Sequence, residues 1–505
     1  MTIDGQPPAT TTPRPGAVAF ERLVAWLATA DGTDAEPPPD AATAIQRAAQ
    51  LGLHVSPASG WSLAERIPWP DADRGRVGAR WTHGDRADDR ETVAELAELG
   101  VRDWWIELDG AEWSGDDDGS LRWLFGAASD PARSVVVSAG ADVVVAKRLR
   151  ERLAGDASVS VTLDPLTALA RSGGPADLAA ALGEIADATR VSVAEGSSAR
   201  TVAISTSWAH QAGATPAEGL ALGLAMAAHY LRAGRPPEVS VASFARRVVF
   251  RVDVGTQLFA EVAKLRAARL LWAHLLGCCE PTAAREPLLV HAFVSPRTWS
   301  KLDPWNNVLR ATISAAAARI GGADVVYHEP MDRLAAQRSR LARRLAVNGD
   351  AVLRAEAHLN QVLDPAAGSD AVERQTETLV HRAWATFTEI ERDGGIVELL
   401  RRGAWASTLA ERAAEAEAAL RAGQGVQVGV SHYQRSAWPD LSDAVAPTGD
   451  ASPADASASP RPSLPTSVAA PGGVVVPPFV PARLAAAFEA ATLVDTESPS
   501  AAPKA

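Results

Sequence analysis

Cysteine is almost absent from this chain, and the two cysteines present are neighbours. Cys278 and Cys279 are the only thiols among 505 residues, and adjacent cysteines rarely satisfy the Cα and Cβ geometry of a disulfide. A chain of this length without a disulfide framework is typical of a reducing compartment. The sequence therefore predicts a cytoplasmic protein whose two thiols lie half-buried at the end of a helix.

Excess positive charge and long apolar runs are also lacking. The 49 Lys and Arg residues are outnumbered by 61 Asp and Glu residues, which gives a formal net charge of −12. That balance argues against the phosphate backbone of a nucleic acid as a partner. No apolar run approaches the ~18 residues that a membrane-spanning helix needs. The first sixteen residues lack the basic and apolar regions of a signal peptide. We therefore expect neither a nucleic-acid partner nor a membrane segment.

Alternating strands and helices dominate the chain from about Thr92 onward. Short β-branched runs such as SVVVSAG and RTVAIST alternate with helical segments such as Pro216–Ala233. Roughly eight β/α repeats over roughly 300 residues are expected of a TIM (β/α)8 barrel. A doubly wound open sheet is the alternative, but no GxGxxG follows any strand. The predicted fold class is therefore α/β, a TIM barrel with an N-terminal helical extension.

Changes of composition divide the chain into further segments. A Pro/Thr-rich tail, predicted to be disordered, precedes the irregular N-terminal extension, and a helical segment closes the barrel domain. The Ala/Pro/Ser-rich stretch that follows is typical of a flexible linker, and a last helix is predicted over 481–491. The predicted boundaries are 1–18, 19–78, 79–400, 401–434, 435–480 and 481–505.

One βαβ unit is especially clear in the sequence. It contains a strand over Arg246–Val254, a helix over Thr256–Leu276 that Gly277 ends, and a second strand over Leu289–Ser295. Such a unit predicts a parallel sheet. Arg269 falls on the apolar face of the helix. We expect its stem to be buried while its guanidinium reaches outward to a carboxylate.

Four stretches of the chain carry a resemblance to a known family. They are AEVAKLRAARLLWA (260–273), DPWNNVLRATISAAAA (303–318), HLNQVLDPAAGS (358–369), and EIERDGGIVELL (389–400) followed by VGVSHYQ (428–434). Their order and spacing resemble the barrel half of the methylmalonyl-CoA mutase family, with a match over roughly 200–434. The resemblance implies a TIM barrel and an acyl-CoA isomerase that depends on adenosylcobalamin.

The catalytic pair of that family is altered in this sequence. The cofactor of the family supplies a radical, and a thioester-bearing group migrates between adjacent carbons. In the family, a Tyr-His pair shortly before an Ala-Gly-Ala sequence assists this reaction. The matching stretch AISTSWAHQAGA (203–214) has Ser207 and Trp208 at those two positions. An indole donates one hydrogen bond but does not titrate, and His210 lies two residues too late. We therefore predict no catalytic residues, with Ser207 and Trp208 as degenerate positions.

Two further departures concern a strand histidine and the cofactor. His291 matches a family histidine, but the glutamine two residues later in the family is Phe293 here. We interpret His291 as a core histidine or a remnant of the family's site. The family binds cobalamin through Asp-x-His-x-x-Gly in a C-terminal domain, and no histidine here has that context. We expect no cofactor or metal on this chain, adenosylcobalamin on a partner chain, and a C-terminus where that domain would begin.

Three functional hypotheses follow. The first is a small, non-catalytic subunit, inactive alone, that stabilises the catalytic large subunit of a heterodimeric methylmalonyl-CoA mutase. Four tryptophans are its candidate interface anchors, with packing in the core as the alternative for each: Trp104, Trp105, Trp299 and Trp305. The second is a catalytic barrel subunit that recruits a separate cobalamin-binding chain. The third is an unrelated barrel enzyme with candidate groups at the strand ends: Asp109, Asp164, His291 and His328.

Charged residues on the predicted strands leave the state of the barrel bore open. Glu107, Asp109, Arg251 and Asp253 all fall on strands or at their ends. Paired ions in a closed bore would fit the non-catalytic hypothesis, whereas an open bore would admit an acyl-CoA chain.

Overall fold

Eight parallel strands form a single sheet in the order β4-β3-β2-β1-β8-β7-β6-β5. The computed structural model describes residues 76–82, 89–108, 134–154, 156, 158–173, 177–335, 339–434, 476 and 478–486. The strands are β1 (Arg76–Thr82), β2 (Asp103–Glu107), β3 (Ser134–Ser138), β4 (Val159–Thr162), β5 (Val202–Ser205), β6 (Val248–Val254), β7 (Val290–Val294) and β8 (Val325–His328). The predicted parallel sheet and eight-stranded barrel are confirmed.

The two end strands of the sheet meet and close the barrel. Leu163, just after β4, pairs with Val202 of β5 through one parallel bridge. The Leu163 amide donates to the Thr201 carbonyl, and the Ala203 amide donates to the Leu163 carbonyl, both at 3.1 Å. The seam is shorter than the other strand pairings.

Helices alternate with the strands and surround them. They are α1 (Asp89–Glu98), α2 (Val143–Arg152), α3 (Pro165–Ser172), α4 (Leu178–Ala194), α5 (Ser207–Ala212), α6 (Pro216–Ala233), α7 (Val241–Ala245), α8 (Leu258–Cys279), α9 (Pro304–Ile320), α10 (Arg340–Ala351), α11 (Asp370–Arg392), α12 (Gly395–Arg402) and α13 (Ala404–Arg421). Helix α11 packs outside α6 and α8, and α12 and α13 follow it. None of the described helices combines the length and apolarity needed to cross a membrane.

Several local predictions need correction. Helix α8 continues through Gly277 to Cys279. It ends at Glu280 because the residue before a proline, here Pro281, is disfavoured in the helical region. Strand β6 begins at Val248, two residues later than predicted, since the short helix α7 precedes it. Strand β1 begins at Arg76, inside the predicted N-terminal extension.

The chain near its C-terminus also differs from prediction. Val476 and Phe479 are 3% and 4% exposed, although composition predicts a flexible linker there. Residues 481–483 have no regular secondary structure, where the first turn of a helix is predicted. The other predicted segments, 1–18, most of 19–78, 435–475 and 487–505, lie outside the described residues.

Arg269 is buried more deeply than predicted. Its side chain is 0% exposed, so the guanidinium does not reach solvent. It donates to the Gly322 carbonyl at 2.6 Å and to the Asp324 carboxylate at 2.9 Å, as well as to the Leu288 carbonyl. The predicted carboxylate partner is therefore present, and Arg269 ties α8 to the segments that enter β7 and β8.

Candidate functional site

Aromatic side chains fill the bore of the barrel. Trp105 of β2, Phe293 of β7 and Tyr327 of β8 are each at most 2% exposed and form one apolar cluster. The Phe293 and Tyr327 rings stack with centroids 4.2 Å apart, and the Trp105 ring meets Phe293 edge-on at 5.4 Å. Gly78 of β1 makes room for them, because a Cβ there would lie 2.5 Å from the Tyr327 ring. Interiors packed in this way leave no channel for a ligand chain.

A buried ion pair lies against this aromatic layer. The Arg251 guanidinium of β6 pairs with the Glu107 carboxylate of β2, and the two side chains are 7% and 5% exposed. The central carbon of the Arg251 guanidinium lies 4.2 Å from the Phe293 ring centroid, which is a cation–π arrangement. The charged strand residues are thus paired within a closed bore, while Asp109 lies outside the described residues.

The Ser207 position belongs to a hydrogen-bonded cluster at the barrel mouth. Its hydroxyl donates to the Asp253 carboxylate at 2.9 Å, and the Gln211 amide donates to the same carboxylate oxygen at 3.0 Å. Burial by itself would raise the pKa of Asp253, but the Arg251 charge and these hydrogen bonds outweigh it and lower that pKa. Ser207 therefore donates to an ionised carboxylate that Gln211 also holds.

The Trp208 position is a packing contact. Trp208 lies in the first turn of α5 and is 4% exposed. Its ring meets Phe479, with centroids 4.5 Å apart. No described residue accepts a hydrogen bond from the indole nitrogen. An indole does not titrate, and the contact that the structure shows for this ring is packing against Phe479.

His210, the histidine nearest the degenerate pair, faces the end of β7. Its Nε2 lies 2.9 Å from the Ser295 hydroxyl. Burial, with a further contribution from the Lys264 charge, lowers the pKa of His210 to about 4. The ring is therefore neutral near pH 7 and serves as a hydrogen-bonding partner of Ser295.

His291 lies in the bore beside the aromatic layer. Its Nδ1 is 3.0 Å from the Tyr327 hydroxyl, and its ring centroid is 5.8 Å from that of Trp105. Burial, reinforced by the charges of Arg76 and Arg200, lowers the pKa of His291 well below its ordinary value. The structure thus places the predicted remnant in a neutral, enclosed position.

The groups proposed for an unrelated active site do not converge. Asp164 accepts hydrogen bonds from the Tyr230 hydroxyl at 2.8 Å and the Ser205 amide at 2.9 Å, and it caps α3. Burial raises its pKa to about 6. His328 instead bonds to Asp350 of α10 at 2.9 Å, on the outer side of β8. Across the part of the chain that the structure describes, no three His, Cys, Asp or Glu side chains are grouped to hold a metal.

Three of the four tryptophans considered as interface anchors are core residues. Trp104, Trp105 and Trp299 are 3%, 1% and 0% exposed, and only Trp305 is partly exposed. Both faces of a barrel strand are covered, one by the bore and one by helices, so adjacent aromatic residues on β2 are both buried. Among the described residues, large apolar side chains with substantial exposure include Phe259, Leu309 and Tyr433.

Sequence reasoning missed three residues that shape this site. Tyr327 could have been found, because strand alternation places it on the same face as Val325. Gln211 gives no comparable signal, since a glutamine in a short helix is ordinarily exposed. Phe479 lies outside every predicted element of the barrel, and no local pattern connects it to Trp208.

Comparisons with known proteins agree on one family. Residues 141–448 match the family model described as methylmalonyl-CoA mutase. The chain is 35% identical over 364 residues to the methylmalonyl-CoA mutase small subunit of Streptomyces virginiae, covering 71% of this chain and 58% of that protein. It is 31% identical over 405 residues to the probable methylmalonyl-CoA mutase small subunit of Mycobacterium tuberculosis (strain ATCC 25618 / H37Rv), covering 78% and 61%.

The large subunit of the Streptomyces virginiae enzyme is also similar. It shares 34% identity over 235 residues, which cover 46% of this chain and 32% of that protein. The chain spans about three fifths of the length of the two small-subunit relatives.

Proposed function

Because this chain belongs to the methylmalonyl-CoA mutase family, we propose that it is the small, non-catalytic subunit of an adenosylcobalamin-dependent methylmalonyl-CoA mutase. In this role it pairs with a catalytic large subunit and stabilises it, while that subunit interconverts methylmalonyl-CoA and succinyl-CoA. We place the complex in the cytoplasm, which is consistent with two free cysteines in the chain.

The filled bore is the observation that carries the non-catalytic part of the proposal. Active sites of TIM barrels lie at the carboxyl ends of the strands and need space there for the reacting group. Here the aromatic layer and the Arg251–Glu107 pair occupy the bore. Ser207 and Trp208 are engaged by Asp253 and Phe479. Among the described residues, this filling of the bore supports a chain that does not hold the reacting thioester.

The residues at the mouth also do not fit adenosylcobalamin. A corrin ring is broad and flat and needs an open face above the barrel, whereas Trp208 lies beneath Phe479 here. His210, the nearest imidazole, is engaged with Ser295. The proposal therefore assigns the cofactor to the partner chain, and we derive no step through it on this one.

The relation to two kinds of subunit supports the heterodimer. The chain is similar to both the small and the large subunit of the Streptomyces virginiae enzyme. Two chains that share a fold can pair about an approximate two-fold axis through equivalent surfaces, as most dimers do. The proposed complex is therefore a pair of related barrels of which one performs the chemistry.

Reconstitution tests the proposal directly. Mutase turnover and corrinoid content are measured for this chain, for the candidate large subunit, and for an equimolar mixture. We expect the two chains to co-elute and turnover to appear or to persist longer at assay temperature only in the mixture. Turnover or corrinoid uptake by the isolated small chain would contradict the proposal.

Two variants separate this proposal from a catalytic barrel that recruits a separate cobalamin-binding chain. In the mixture, Ser207→Ala and Trp208→Phe should leave kcat/KM unchanged within twofold, because neither side chain contacts substrate. The alternative predicts a loss of about a hundredfold, as is typical when a residue that acts in proton transfer is removed. Circular dichroism of each variant shows whether the fold is retained.

A further inference from the structure

A short segment from the C-terminal part of the chain lies across the barrel mouth. We call Val476 and residues 478–486 the strap. Four of its backbone amides donate to carbonyls of the barrel domain. These bonds are Phe479 to Ala170 at 2.9 Å, Ala482 to Gln211 at 2.8 Å, Val476 to Gly173 at 3.3 Å, and Leu484 to Arg297 at 3.4 Å. The strap is thus bound through its main chain, as an extended peptide is held in a groove.

The groups that hold the strap all lie beyond the carboxyl ends of strands. Ala170 and Gly173 belong to the end of α3, which follows β4, and Gln211 belongs to α5, which follows β5. Farther along, the Arg483 guanidinium donates to the Trp299 carbonyl at 3.0 Å, in the segment after β7. The strap therefore crosses the mouth from the β4 side to the β7 side.

The groove is shaped to this segment. Gly173 ends α3 with φ +62°, a left-handed conformation that favours glycine. A Cβ at this position would lie 2.5 Å from the Val476 carbonyl oxygen and 2.9 Å from the Pro478 ring. The close approach of two backbones at this point means that any side chain on residue 173 would displace the strap.

One side chain fastens the strap to the altered catalytic position. Phe479 is 4% exposed and contacts Trp208, whereas its neighbour Val480 is 68% exposed. The buried face of Trp208 is covered by a residue more than 250 positions later in the chain. Without Phe479, the face of the Trp208 ring that it covers would lose this contact.

We propose that the strap is an intramolecular lid over the barrel mouth, with Phe479 as its latch on Trp208. The strap is joined to its groove by isolated hydrogen bonds, and among the described residues it pairs with no strand of the sheet. Segments attached in this way open locally at a lower free energy than the global unfolding of the core. When the strap opens, the face of Trp208 that Phe479 covers becomes accessible to an apolar probe. This inference does not depend on whether the chain pairs with a large subunit.

Hydrogen exchange of the full chain tests the closure. The amides of Phe479 and Ala482 should be protected in the wild type, yet exchange faster than those of β6. Phe479→Ala should accelerate exchange at Ala482 by at least about tenfold, because a lost latch shifts the opening equilibrium. Val480→Ala is the matched control and should change neither rate. Unprotected strap amides in the wild type, or equal rates in the two variants, would overturn the closure.

Binding of 1-anilinonaphthalene-8-sulfonate tests the groove. The dye should bind Phe479→Ala with a several-fold rise in fluorescence and should not bind the wild type or Val480→Ala. Ala482→Pro provides a second route, since it removes the amide that bonds to Gln211 and keeps the Phe479 side chain. Far-UV circular dichroism confirms that each variant is folded. If both folded variants fail to bind the dye, the strap is a structural segment and not a lid.

Discussion

The bore and the mouth of this barrel are closed in different ways. The bore is filled by Trp105, Phe293 and Tyr327, which arise from the strands themselves and stack on one another. The mouth carries polar and charged side chains, and it is covered by a strap from a distant part of the chain. Packing closes the bore permanently, since opening it requires the sheet to come apart.

The mouth is closed by contacts that can be lost without unfolding the barrel. Four main-chain hydrogen bonds, one hydrogen bond from the Arg483 side chain, and the burial of Val476 and Phe479 hold the strap, and each hydrogen bond contributes only about 1 kcal/mol net. Releasing the segment also restores its conformational entropy. The difference is that core packing closes the bore, whereas the cover of the mouth rests on a few contacts that are separate from the sheet.

The largest predicted effect comes from breaking the ion pair in the bore. Arg251→Met leaves the Glu107 carboxylate buried without its cation, and we expect a loss of about 3–5 kcal/mol in unfolding free energy. The measurement is urea-induced unfolding followed by circular dichroism. The double variant with Glu107→Gln should recover part of the loss, because the buried carboxylate left without its cation is then neutral.

An exposed ion pair provides the control for this change. Arg190 bonds to Asp187 and Glu238 with about half of its side chain exposed, and exposed pairs add little to stability. Arg190→Met should leave the unfolding midpoint unchanged. A similar loss in both variants would mean that the bore pair has no special role.

A smaller effect is expected from overfilling the bore. Gly78→Ala places a methyl group 2.5 Å from the Tyr327 ring, and overpacking of this kind costs about 1–3 kcal/mol. Gly219→Ala in α6, where a Cβ meets nothing within 4 Å, should be neutral or stabilising. Adding Tyr327→Val to Gly78→Ala should cost less than the sum of the single changes, and simple additivity would count against a steric cause.

The smallest predicted effect concerns pH and the mouth. His210 has a pKa of about 4 in the folded chain, below the ordinary value near 6.5 that it regains on unfolding. Between these values the unfolded chain binds a proton that the native chain does not, so stability falls as pH falls from about 6.5 toward 4.

The variant His210→Gln isolates this contribution. It keeps a hydrogen-bonding group near Ser295 but does not titrate. The loss of unfolding free energy between pH 7 and pH 5 should be smaller than in the wild type by up to about 2 kcal/mol. His291 is also buried and neutral in the folded chain, and this variant retains it. It takes up a proton on unfolding, so it accounts for some of the remaining slope. An unchanged slope would contradict the assignment to His210.

Much of the barrel could be predicted from local patterns. Helix α6 spans the predicted Pro216–Ala233, capped by Thr215 and Glu218, because both its start signals and its periodicity are local. Strand β1 was missed, since its sequence RVGARWT includes glycine and two arginines. Gly78 is there to make room for Tyr327 on β8, and a contact between residues so far apart leaves no mark on strand propensity.

The predictions for the candidate site differ in the same way. The predicted replacement of the family's pair by Ser207 and Trp208 depends only on residue identity at matched positions, so it could be made from the sequence. Whether Trp105 and Trp299 are core or interface residues stayed open in the sequence, because a tryptophan suits either place, and the structure buries both.

The sequence by itself determined the alternation of strands and helices, the family resemblance and the altered catalytic positions, because each of these is a property of neighbouring residues or of their spacing. Only the tertiary structure decided that the bore is filled and that Phe479 covers Trp208. Those outcomes depend on side chains that are remote in sequence and meet only when the sheet closes and the chain returns across its mouth. Local propensities carry no information about such meetings, so the closure of this barrel could be read only from its folded form.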